Sequence, residues 1–171
     1  MRETILHFIE GLGLGPEVVV LILAMLPIFE LRGSVPVGIL VFKLPVFETV
    51  VYSIVGNMIP IVFILLLLEP AHKWLSRFRI FDRFFEWLFE RTRRKGKLIE
   101  RLEILGLVLF VAIPLPVTGA WTGSVAAFLF RIPFWKALPA IFCGVLIACT
   151  VMTLASLGLI SLPGIIGATA P

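Results

Sequence analysis

The sequence predicts an all-α polytopic membrane protein. It is expected to consist of two inverted-topology repeats, each a re-entrant helical hairpin followed by a transmembrane helix, with cytoplasmic amphipathic helices between them. Three observations carry this expectation. Of the 171 residues, 60% are hydrophobic, against about 45–50% apolar in a soluble domain. Ten of the fifteen Lys and Arg fall between Glu69 and Glu103. Two apolar stretches broken by Pro and Gly, one around Glu30 and one around Gly119, are each followed by an uncharged run, and each run is long enough to span a bilayer.

Residues 1–16 place Ile5, Leu6, Phe8, Ile9 and Leu12 at helical spacing, with Glu3, His7 and Glu10 between them. That pattern suits a short interfacial helix, and its interrupted apolar positions do not resemble a cleavable signal peptide.

The first repeat is assigned to residues 17–68. Val18 to Phe29 and Val35 to Phe42 are each about half a bilayer deep as helices. They flank the stretch from Pro27 to Gly38, which holds Glu30, Arg32, Gly33, Ser34 and Pro36. Two half-depth arms joined by a break read as a re-entrant hairpin, with a single kinked spanning helix as the alternative. Lys43-Leu44-Pro45 turns the chain at the surface. Val50 to Leu68 is then uncharged and makes about 29 Å of helix, a spanning length. Within it Asn57 either hydrogen-bonds a neighbouring helix or faces the site.

Residues 69–103 form the basic linker. The positive-inside rule makes it cytoplasmic, and a lipid-binding patch is the second reading of its charge. Phe81, Phe84, Phe85, Leu88 and Phe89 share one face of an amphipathic helix there, and Arg91 to Lys97 with Gly96 marks a turn. Because the charge of +4 is concentrated in this segment, no nucleic-acid partner is expected.

The second repeat covers residues 104–160. Ile104 to Phe130 carries no charge, but Pro114, Pro116, Gly119 and Gly123 interrupt its centre. Ile113 to Ser124 is therefore expected to be broken, as a second hairpin. Arg131-Ile132-Pro133 turns the chain, and Ala137 to Ile160 is the second spanning run. Gly144 and Ala148 give it a small face for close packing, within the fold or between protomers. Residues 161–171 form an interfacial tail. The apolar setting of Cys143 and Cys149 suits free thiols, and no residue spacing suggests a metal site or a cofactor.

The halves resemble each other. Gly33-Ser34-Val35 precedes Lys43-Leu44-Pro45 and Gly56, as Gly123-Ser124-Val125 precedes Arg131-Ile132-Pro133 and Gly144. The spacing differs by two residues after Gly-Ser-Val. With a cytoplasmic linker the first hairpin dips from the outer face and the second from the cytoplasmic face, so their tips are expected near the midplane. Chance similarity between two Pro- and Gly-rich segments is the alternative.

The tips offer Glu30, Arg32, Gly33 and Ser34 from one side. Thr118, Gly119, Trp121, Thr122, Gly123 and Ser124 come from the other. Half-helix N-termini attract anions, and Arg32 suits bidentate capture of phosphate or carboxylate. A carboxyl group at low dielectric favours its neutral form unless a cation holds it ionised, which makes Glu30 the candidate proton or ion carrier. Trp121 suits stacking on a cargo or closing the cavity. The structural alternative for Glu30 and Arg32 is an ion pair that locks the hairpin. An enzyme is not expected: there is no nucleophile–base pair, no second acid near Glu30 and no metal cluster.

The paired motifs, Glu30-Leu31-Arg32-Gly33-Ser34-Val35-Pro36 and Pro114-Leu115-Pro116-Val117-Thr118-Gly119-Ala120-Trp121-Thr122-Gly123, resemble those of the small multidrug export protein family of prokaryotic membrane proteins. That resemblance covers nearly the whole chain and implies drug efflux across the cell membrane. More distantly, the plan is similar to the DedA (SNARE-associated, or VTT) superfamily, which implies ion-coupled translocation of a lipid phosphate, with Glu30 matching the acidic residue of the first hairpin. DedA proteins carry arginines around an Ile-Pro in the second hairpin, where this chain has Val111 and Val117 around Ile113-Pro114. The expected function is a transporter or flippase for an anionic amphiphile, coupled to protons or Na+ and assembled as a homo-oligomer among membrane lipids. The alternatives are proton-coupled efflux of lipophilic cationic drugs and a non-transport membrane assembly protein.

Overall fold

A computed structural model describes residues 14–75, 99–113 and 118–158. Six α-helices lie among them: α1 (Pro16–Met25), α2 (Glu30–Pro36), α3 (Val46–Leu75), α4 (Ile99–Ala112), α5 (Ala120–Leu129) and α6 (Phe134–Ser156). A π-helical turn, Val37–Val41, follows α2. The expected interfacial helix up to residue 13, the aromatic stripe Phe81 to Phe89, the basic run Arg91 to Lys97, Pro114, Pro116 and the tail from Ser161 lie outside the described residues. The chain divides into two compact units, residues 1–59 with 146–171 and residues 60–145.

In the first unit, Pro16 opens α1 with Glu17 in its first turn, where a missing N–H costs nothing and a carboxylate favours the helix dipole. Leu26 ends α1 in an extended conformation (φ −79°, ψ 132°), as its position before Pro27 demands. After four residues the chain turns back, and α1 packs against both α2 and the π-helical turn.

The break is shorter than the expected Pro27–Gly38. It ends at Phe29, so Glu30, Arg32, Gly33 and Ser34 are helical, and Pro36 lies inside α2 rather than breaking it. Pro36 has no N–H to donate. The Val37 N–H still bonds three and four residues back, to the carbonyls of Ser34 and Gly33, and the pitch widens only beyond it, where the Phe42 N–H reaches back five residues to Val37 O (2.9 Å). A π-turn is a known relief for this kind of local conflict.

Two helices, Val46–Leu68 within α3 and Phe134–Ser156, are long and apolar enough to cross a membrane. The α3 helix runs on to Leu75 and α4 begins at Ile99, so both enter the segment assigned to the linker. Along α3 the usual inside and outside are exchanged. Thr49, Ser53 and Asn57 are completely buried, while Val51, Val55, Phe63, Leu66 and Leu67 are exposed. Such a helix suits a solvent of lipid.

In the second unit α4 packs against α5. Local geometry there repeats that of the first unit. Lys43 and Arg131, each one residue before an X-Pro step, both take the left-handed conformation, at φ 55° and 56°. A Cβ on Gly56 would collide with Leu21 O of α1, and one on Gly144 would sit 2.8 Å from Val108 O of α4. Each glycine thus lets its long helix lie directly on the backbone of the preceding short one. Gly144 packs within the unit rather than being left for a second protomer. Phe47 and Trp135, second residues of α3 and α6, are 78% and 81% exposed, and aromatic side chains at helix ends suit a membrane interface. The two extra residues of the first half fall in the segment that holds the π-helical turn.

Candidate functional site

The first hairpin tip combines an acid, an unusual backbone and a helix end. Glu30 is only 6% exposed. It takes φ 43°, a left-handed conformation that costs a non-glycine residue about 1–3 kcal/mol. Its N–H donates to Leu26 O at 2.9 Å. Lys43 and Arg131 share this conformation, but they are exposed turn residues, whereas Glu30 is buried.

The break lies between two helix ends of opposite sign. The α1 helix presents its carboxyl end to the break, with no basic residue in its last turn; a helix end of that sign favours cations. The first turn of α2 holds Glu30 itself, so its amide groups are already faced with a carboxyl. Arg32 is half-buried, Gly33 is half-buried and Ser34 is completely buried.

Sequence reasoning did not single out Thr49 and Ser53. With Asn57 they recur every four residues on one face of α3, and all three are completely buried. Asn57 donates through Nδ2 to Ala24 O of α1 (3.3 Å), the helix-to-helix bond that was one of its two expected roles. Its Oδ1, Thr49 Oγ1, Ser53 Oγ and Ser34 Oγ have no hydrogen-bond partner in the protein. The polar spacing of 49, 53 and 57 in an otherwise apolar run was the signal available.

The second tip is built differently. Thr118 Oγ1 donates to Ile113 O (2.7 Å), Thr122 Oγ1 to Gly119 O (3.2 Å) and Ser124 Oγ to Ala120 O (2.8 Å). All three hydroxyl protons are thus used on nearby backbone. The break again proves shorter than expected: Trp121, Thr122, Gly123 and Ser124 are within α5, whose N-cap is Gly119. Trp121 and Thr122 are half-buried, and Gly119, Gly123 and Ser124 are buried. Gly123 is held by packing, since a Cβ there would lie 2.6 Å from Val111. Among the described residues no group of His, Cys, Asp and Glu could hold a metal ion.

No curated protein and no solved structure matches the chain. A family model described as "Putative small multi-drug export protein" matches residues 30–151. The match opens on the strained, buried Glu30 and takes in both repeated segments, well over half of the sequence. The chain therefore belongs to the small multi-drug export protein family.

Proposed function

We propose that this protein is a proton-coupled membrane exporter of small lipophilic cations, in which Glu30 binds either a proton or the cargo. The observation that carries the reading is a carboxyl group that is 6% exposed beside the carboxyl end of a half-length helix. An acid in that setting exchanges one cation for another more readily than it holds an anion. The family description, a small multi-drug export protein, supports export as the activity.

In this proposal the two helical hairpins are re-entrant and of inverted topology, with residues 69–103 on the cytoplasmic side of a prokaryotic cell membrane. Arg32 assists by repelling cargo once Glu30 is protonated. The protein is a multi-pass transporter and no enzyme, and it works as a homo-oligomer whose neighbours and lipids cover its exposed apolar faces. A lipid-phosphate cargo is the second reading, favoured by the half-buried guanidinium of Arg32, which suits a phosphate headgroup.

The test is transport by purified protein in liposomes carrying an imposed pH gradient, with tetraphenylphosphonium as the cation. Wild type is expected to move it against its gradient, and Glu30→Gln is expected to abolish that movement while remaining folded. Transport that survives Glu30→Gln would overturn the reading. Stimulation by polyprenyl phosphate, lost in Arg32→Gln, would favour the lipid reading instead.

A further inference from the structure

Ser34 Oγ, Thr49 Oγ1, Ser53 Oγ and Asn57 Oδ1 are buried without a hydrogen-bond partner in the protein. A Cβ on Gly38 would collide with Thr49, which fixes the point where the chain before the Lys43–Pro45 turn meets α3. The turn is short, so the two segments are antiparallel. Stepping one helical turn at a time from that contact brings Ser34 level with Ser53, and Glu30 level with Asn57. In the second unit a Cβ on Gly123, the counterpart of Gly33, would lie 4.0 Å from Ile141, the counterpart of Ser53. Successive polar levels are about 6 Å apart, the span that one water covers with two hydrogen bonds of about 2.8 Å each. From Val46 to Asn57 is about 16 Å of helix, half the thickness of the hydrocarbon core.

The rest of the molecule shows that these oxygens are exceptional. Ser124, Thr150 and Ser156 each donate to the carbonyl four residues back. Ser34, Thr49 and Ser53 do not. Thr153 Oγ1, also without a bond to another oxygen or nitrogen, is on α6, one turn from Cys149. The second repeat makes the contrast sharper. By the register of the Gly56/Gly144 and Lys43/Arg131 pairs, Thr49, Ser53 and Asn57 correspond to Ala137, Ile141 and Val145, all buried and apolar. Packing alone is therefore met by apolar residues at the same places.

We propose that Ser34, Thr49, Ser53 and Asn57 line a file of bound waters that carries protons between Glu30 and the membrane face at the Lys43–Pro45 turn. The proposal rests on the reading of Glu30 as the proton-exchanging acid. Buried hydroxyl and amide oxygens without protein partners are the groups that ordered water satisfies, and hydroxyls both donate and accept along such a chain. The mouth is polar: Lys43 and Glu48 are exposed there. Across residues 16–57 the other titratable groups are Glu17 at the start of α1, Arg32 on α2 and Tyr52 on α3 beside Ser53.

The test is proton-driven tetraphenylphosphonium transport by the double variant Thr49→Val/Ser53→Ala, which removes two hydroxyls with almost no change of shape. Transport is expected to slow about tenfold, with equilibrium binding of the cation at fixed pH unchanged and thermal stability unchanged or raised. Thr49→Ser/Ser53→Thr, which keeps the hydroxyls, is expected to transport like wild type. A double variant that folds, binds and transports at the wild-type rate overturns the water file while leaving the exporter reading intact. Coupling to a Na+ gradient with no response to pH also overturns it. Absence of any transport by wild type defeats the underlying reading instead, and both fail together.

Discussion

Gly56→Ala tests the packing of the first unit. The new methyl would collide with Leu21 O and come to 3.0 Å from Ala24 Cβ. The obstacle is backbone, so relief requires α3 to move off α1. Overpacking of this kind costs about 1–3 kcal/mol. The Asn57 Nδ2 to Ala24 O bond, already 3.3 Å long, lies one residue on and would stretch past its useful range, a further loss of about 1 kcal/mol. Against this, alanine improves helix propensity by about 1 kcal/mol. The net expectation is a loss of about 1–3 kcal/mol. Gly106→Ala is the control, since nothing lies within 4 Å of its Cβ and only the propensity gain remains. Thermal unfolding in detergent, followed by circular dichroism, should show Gly56→Ala below wild type and Gly106→Ala at or above it. Equal midpoints for the two variants would show that α1 and α3 do not touch at this glycine.

Further expectations concern the second unit, the thiols and the topology. Ser124→Ala should lose no more than about 1 kcal/mol, the worth of its bond to Ala120 O, and leave transport unchanged; a transport defect equal to that of Ser34→Ala would remove the distinction between the halves. Cys143 is exposed and Cys149 buried, so a lipid-soluble maleimide should label Cys143 before Cys149, read by mass spectrometry. With both native cysteines replaced by alanine, Lys43→Cys and Arg131→Cys should react with an impermeant maleimide from opposite sides of the membrane. Labelling from the same side would refute inverted topology.

The helices and turns were legible because each leaves a strong local mark. Pro27 forces Leu26 into extended backbone, and the Lys43 and Arg131 turns precede X-Pro steps. The lengths of the broken segments were not legible. Pro36 looked like a breaker, yet a π-turn absorbs it, and a wide turn depends on tertiary contacts such as Gly38 against Thr49 rather than on local propensity. Trp121 to Ser124 looked too rich in glycine for helix, but Gly123 is required by Val111, which is distant in sequence. Glu30 stood out as an acid in an apolar run. Thr49 and Ser53 did not, because a hydroxyl on a transmembrane helix normally bonds its own backbone, as Thr150 does. Only the structure shows that these two do not.

The difference between the two halves narrows where coupling can occur. Both keep the glycine contacts, the left-handed turn residues and the exposed aromatic at the start of the long helix, so these features answer to the fold. The acid and the polar line belong to the first half alone: Ala137, Ile141 and Val145 occupy the matching positions of the second, and Ser124 spends its hydroxyl on Ala120 O. A buried hydroxyl left without a partner costs about 1–3 kcal/mol, and three of them with a free amide oxygen would be a serious burden on a bundle this small. An apolar solution to the same packing problem exists within the same chain. The proposed file of bound water leading to a buried acid would offset that cost with neutral groups alone.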